Sequence, residues 1–180
     1  MRFGVRQAII RRGLNEDMTR AVRYHSLFVS ADAALSFLGA GIAGTIWRAD
    51  QLHQDLPCTA DGGCEIVNAS RWSHVDLIFL HHVPVAILGL AGYVLLLSLA
   101  MLRFSTDNGR LDSRLHTLIG LISGGGVLYS WYLQWVAHAE IGAFCIWCRS
   151  SAIVMTILFG TALLEWWAGW RPRQRQEIHG

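Results

Sequence analysis

Residues 145–170 read CIWCRSSAIVMTILFGTALLEWWAGW. Two cysteines three positions apart open a long apolar run with only Arg149 and Glu165 charged. About 20 mostly apolar residues in a helix cross the ~30 Å hydrocarbon core of a bilayer, so this stretch reads as a spanning helix with a CxxC pair at its mouth. Three earlier stretches have the same character. They run from about Ser26 to Trp47, from Leu77 to Leu102, and from Leu115 to Ala137, the last without any Asp, Glu or Arg. None shows the period-two alternation of barrel strands, the other way to satisfy backbone polar groups in lipid. The sequence therefore predicts an all-α integral membrane protein, a four-helix bundle with a long outer loop between its first and second spans. Three segments follow: residues 1–25, a cytoplasmic N-terminal segment; 26–170, the membrane domain; and 171–180, a cytoplasmic tail. The first 25 residues are Arg-rich and lack an apolar centre, so the first span reads as an uncleaved anchor. Composition agrees. The chain is 53% hydrophobic and 16% charged, against roughly 25% charged in soluble domains.

Orientation follows from arginine, because cytoplasmic flanks retain positive charge. All fifteen basic residues are Arg. Six precede the first span, three (Arg103, Arg110, Arg114) lie between the second and third, and three (Arg171, Arg173, Arg175) follow the fourth. Only Arg48, Arg71 and Arg149 fall on the other side. Both termini are thus expected in the cytoplasm and both cysteine pairs outside, in an inner (plasma) membrane. The arginines form no continuous basic stripe, which argues against nucleic acid.

Cys58 and Cys64 stand in the long outer loop as CTADGGC; Cys145 and Cys148 stand at the entry to the fourth span. On an oxidising face such pairs persist as disulfides. A helix N-terminus favours a thiolate, and i, i+3 spacing lets Cys145 and Cys148 bond across one turn. A pair at the lipid–water boundary is open to a membrane-soluble oxidant. Asp61, Gly62 and Gly63 give the loop pair a flexible turn, suited to swinging between an outer partner and the CxxC. A static staple would explain the loop pair taken alone, and four cysteine ligands to zinc is a further alternative, although C-x5-C is loose for it. Arg149 either adds positive charge beside the thiolate or snorkels at the interface. His81, His82 and His138 lie at CxxC depth, where ionisable groups are functional candidates; Pro84 is expected to kink the second span nearby. Asp32 reads as an interhelical polar contact without a catalytic role. Small residues in the first span (Gly39, Ala40, Gly41, Gly44) and third (Gly120, Gly124, Gly125, Gly126) favour close helix approach. Trp47, Trp72, Trp166, Trp167 and Trp170 read as interfacial anchors.

The pair Cys58/Cys64, Ser70 six residues beyond, HVPVAILGLAGY opening the second span, and CIWC opening the fourth occur in one order over residues 26–168. In this the chain resembles bacterial-type members of the vitamin K epoxide reductase family that lack a fused thioredoxin domain. The resemblance implies a bundle around a quinone, ubiquinone or menaquinone. It implies a relay from a separate thioredoxin-like outer protein to Cys58, from Cys64 to Cys145, and from Cys148 to the quinone. Ser70, His81, His82 and Arg149 are the candidate quinone contacts, and no metal is expected. Two positions depart from the pattern: His82 where many relatives carry Gly, and Ala152 where the human-type enzyme has Tyr. Ala152 favours plain quinone reduction over epoxide reduction. The expected function is quinone-dependent disulfide generation for exported proteins. The alternative is a non-catalytic membrane scaffold with two structural disulfides. Another class of four-helix quinone reductase places its CxxC in the first outer loop, the reverse of the order here.

Overall fold

A computed structural model describes residues 2–52, 63–77, 80–106 and 108–177. Helix α1 covers Arg2–Leu52 without a break, α3 Val85–Phe104, α4 Gly109–Val136 and α5 Ile146–Glu177. A short helix, α2 (Gly63–Asn68), a 3-10 turn (Arg71–Ser73) and two strands, β1 (His74–Leu77) and β2 (Leu80–Pro84), lie between α1 and α3. Segments Arg23–Leu52, Val85–Phe104 and Ile146–Trp167 are long and apolar enough to cross a membrane. The fourth long helix, α4, packs with them as the remaining member of the bundle. Its serines, glycines and His116 leave its central run less apolar than those three segments.

The expected second span differs in where it begins. It starts at Val85 rather than near Leu77, and before it β1 and β2 pair antiparallel, His74 with Pro84 and Val75 with Val83. The reason is Pro84. The residue before a proline is pushed into extended backbone, and proline has no N–H to continue a helix from below. Pro84, extended at φ −58° and ψ 131°, stands immediately before the first helical turn and does not kink α3.

Along α1 the buried positions are Val29, Asp32, Ser36, Gly39, Ala43 and Ile46, the three-and-four spacing of one helix face. Against this stripe lie Tyr93, Leu96 and Ala100 of α3 and Leu158 and Ala162 of α5. Gly39 makes room for α3 against α1: a Cβ there would fall on the Tyr93 ring. Tyr93 donates its hydroxyl to the Ser151 carbonyl at 2.8 Å, 3.0 Å from the Ser151 hydroxyl, and so ties α3 to α5. Between α4 and α5 the small residues again set the spacing. Added Cβ atoms at Gly124 and Gly126 would come within 3.0 Å of Phe159 and Met155, whereas Gly125 faces open space. Trp47, Trp166 and Trp167 are exposed, as anchors are; Trp72 instead turns partly inward, lining the cavity described below.

At the end of the bundle away from the cysteines sits an ionic cluster. Arg103, 1% exposed, donates from Nε to Asp112 at 2.8 Å and from Nη1 and Nη2 to Glu165 at 3.0 and 2.6 Å. His116 lies 3.1 Å from Glu165 and His25 3.3 Å from Asp112. Asp32 accepts from Thr161 at 2.7 Å and stands 3.9 Å from Arg103. The expected role of Asp32 as an interhelical contact holds, and the cluster joins all four long helices.

Candidate active site

Helix α5 begins one residue after Cys145. The first N–H groups of any helix lack partners within it, and here the Cys145 sulfur accepts the N–H of Cys148 at 3.2 Å. The thiol thus takes the place of the oxygen of an N-capping serine. A donor aimed at this sulfur favours its anionic form. The approach is built by α4: after Val136 the chain widens into a π turn, Ala137–Ile141, and reverses at Gly142 in the left-handed region at φ 67°, a conformation glycine adopts without steric cost. Cys145 is 4% exposed, Cys148 is half-buried, and both are free thiols.

Cys64 comes from the other side of the chain. It lies in the first turn of α2, 2% exposed, and is disulfide-bonded. Cys58, Asp61 and Gly62 lie outside the described residues. Gly63 was expected to serve flexibility. Its place shows a second use, since a Cβ on it would collide with the Phe144 carbonyl, so only glycine allows α2 to lie against the segment leading into the CxxC. Gly63→Ala is expected to move Cys64 off that segment and slow thiol exchange between the pairs by up to about 100-fold, the effect of roughly 1 Å of misplacement. Stopped-flow measurement of exchange would check it; an unchanged rate means the contact is dispensable.

Cys64, Cys145 and Cys148 all open on one cavity of about 250 Å³. Its wall is mostly apolar, with Pro84, Val85, Leu88, Ile122, Leu133 and Met155, and its polar groups are few: Ser70, Tyr93, Tyr129, Ser130, Gln134 and Ser151 among them. A partly open apolar slot with scattered hydroxyl and amide donors suits a flat ring bearing carbonyl oxygens, so the residues present fit a quinone. Ser70 lines the cavity, and its hydroxyl donates to the Val67 carbonyl at 2.7 Å. The backbones of His81 and His82 lie on β2 and not on a helix; their side chains lie outside those described. Arg149 is exposed and does not line the cavity. His138 is exposed and stacks on Phe144, with ring centroids 5.2 Å apart. Sequence reading missed Tyr93, Ser130, Gln134 and Ser151. Tyr93 was legible only as part of GLAGY, and the serines resemble ordinary helix-surface residues.

A membrane bundle with a helix-capping CxxC and a disulfide-bonded loop cysteine on one apolar cavity defines a thiol-redox membrane protein. The model of the vitamin K epoxide reductase family matches residues 31–163, well over half of the chain, and the protein belongs to that family. Its members are quinone-reducing oxidoreductases, and membership implies quinone-linked thiol–disulfide chemistry.

Proposed function

We propose that this protein generates disulfides for exported proteins by relaying electrons from a separate thioredoxin-like partner through Cys58/Cys64 to Cys145/Cys148 and on to a membrane quinone. The observation that carries the reading is that Cys64, Cys145 and Cys148 share one cavity while differing in redox state: one is disulfide-bonded and two are free. In the cavity a bound quinone supplies the two-electron acceptor. Joining Cys145 to Cys148 forms one S–S bond and gives up two electrons and two protons. The Cys64 thiolate, freed when the partner reduces the loop pair, attacks the Cys145 sulfur, and Cys148 leaves. Cys58 then attacks Cys64, restoring the loop disulfide and releasing Cys145. In that last step the N–H of Cys148 helps Cys145 leave as a thiolate, since low-pKa thiols leave faster. Gln134 and Ser130 on the cavity wall are our candidate donors to acceptor oxygens, Ser70 is a candidate only if it gives up its bond to the Val67 carbonyl, and the apolar wall excludes water. His81, His82 and Arg149 remain candidates as quinone contacts on sequence grounds.

The test is one experiment with two readouts. Purified protein in detergent is mixed with a reduced thioredoxin-fold CxxC protein and a short-chain ubiquinone. Wild type is expected to bleach the quinone band. Cys58→Ala is expected to stop and to accumulate a Cys64–Cys145 linked peptide pair. No bleaching by wild type sinks the reading; a Cys58–Cys145 link in Cys64→Ala, with none in Cys58→Ala, reverses the loop roles.

The arginine distribution supports a bundle with both termini cytoplasmic and the cysteine end outside, in the plasma membrane. Impermeant maleimide applied to intact cells after mild reduction is expected to label Cys58 and to leave a cysteine tag at either terminus unlabelled. Labelling of a terminal tag reverses the orientation.

A further inference from the structure

Asp32 and Ser36 are one turn apart on the buried face of α1, 1% and 0% exposed. Asp32 Oδ2 and the Ser36 hydroxyl have no hydrogen-bond partner among the described residues. Polar groups so deep in a membrane bundle are rare, and they mark proton or ion routes more often than packing. Their positions are ordered. Below Asp32 is the Arg103 cluster, with Arg103 Nη1 3.9 Å from Asp32 Oδ2. Above Ser36, Gly39 holds the Tyr93 ring against α1. The Tyr93 hydroxyl bonds Ser151, one turn of α5 from Cys148, and Tyr93, Ser151 and Cys148 all line the cavity. At 1.5 Å rise per residue, Asp32 to Ser36 is about 6 Å along the helix and Ser36 to Gly39 about 4.5 Å.

The cluster also gathers groups that exchange protons. Against the single positive charge of Arg103 stand three carboxylates, Asp32, Asp112 and Glu165, with His25 and His116 beside them. Uncompensated charge is costly in a buried site, so a cluster with more carboxylates than guanidinium groups is a place for protons to enter the column. These and the histidines are the titratable and charged groups that the contacts place around Asp32 from all four long helices.

We infer that the column Asp32–Ser36–Tyr93–Ser151 carries protons from the cluster end of the bundle to the cavity, making quinone reduction draw its protons from the cytoplasm. The inference rests on the quinone reading and the orientation proposed above. The balance is simple. Two thiols oxidised at the outer face release two electrons and two protons there. The electrons reduce quinone to quinol, and quinol's two protons arrive through the column. Each turnover therefore moves positive charge outward, and disulfide formation becomes coupled to the membrane potential.

The experiment uses the intact protein in liposomes with a short-chain ubiquinone and a pH-sensitive dye sealed inside. Tris(2-carboxyethyl)phosphine, kept outside by its charge, engages only molecules whose cysteine end faces out. Quinol formation and internal pH are followed together, with the background of Cys148→Ala vesicles subtracted. Wild type is expected to alkalinise the interior in step with quinol formed. In Asp32→Asn, which keeps an acceptor for Thr161, and in Ser36→Ala, which removes only an unpaired hydroxyl, internal protons consumed per quinol are expected to fall toward zero. Quinol formed by wild type without internal alkalinisation overturns the inference and leaves the quinone reading standing. So does a wild-type ratio in both variants. No quinol in wild type overturns the quinone reading and this inference with it.

Discussion

Cys148→Ala is expected to reduce quinone-dependent turnover to the uncatalysed background, a loss on the order of 10³-fold or more, the scale seen when an enzyme loses its reacting nucleophile. The geometry explains why neighbouring thiols do not substitute. A two-electron transfer out of the dithiol needs a second sulfur to close the S–S bond. Cys145 is fixed by its role as the cap of α5, accepting the backbone N–H at position 148, a bond the alanine variant keeps. Cys145 is thus left in place but without a partner one turn on. Its thiolate can still attack Cys64 of the oxidised loop pair, with Cys58 leaving as a thiolate, so the variant should show an early thiol-exchange phase and then no quinone bleaching. Quinone absorbance followed beside acid-quenched thiol alkylation separates the two. Steady bleaching above background by Cys148→Ala would mean that electrons leave from Cys145.

Replacing Arg103 should have the largest effect on stability. Arg103 is almost fully buried and bonds Asp112 and Glu165. Removing one partner of a buried ion pair leaves the other charge uncompensated, at about 3–5 kcal/mol. Arg103→Met keeps much of the side-chain volume, so the loss falls mainly on electrostatics. Reversible unfolding in mixed micelles should show a destabilisation of that size. The double variant Arg103→Met/Glu165→Gln should lose less than the two single losses added, because the second change removes a charge that the first had stranded. Strict additivity would mean that the pair contributes no coupling.

The bundle was legible because a membrane demands long apolar runs, and four were plain. The start of α3 was misplaced because Leu77, Ile78, Phe79 and Leu80 are as apolar as the helix after them. Hydropathy does not distinguish a strand from a helix there, and only Pro84 marks the change. The cysteines were legible by type and spacing. That Cys145 caps α5, and that Gly63 is needed for contact with Phe144, depends on backbone positions far apart in sequence. Arg103 was counted as one of the topological charges. Its partners, Asp112 nine residues on and Glu165 sixty-two residues on, come together only when α3, α4 and α5 pack.

The contact between Gly39 and Tyr93 ties two distant positions into one unit of inheritance. No side chain fits at 39 while a phenol stands at 93, and the phenol's oxygen is committed to Ser151 on a third helix. A chain that gained even a methyl group at 39 would have to give up the ring at 93, and with it the tie to α5. Among descendants of this sequence the two sites should therefore change together or not at all, and the order of change is constrained: the ring must shrink before the glycine can grow.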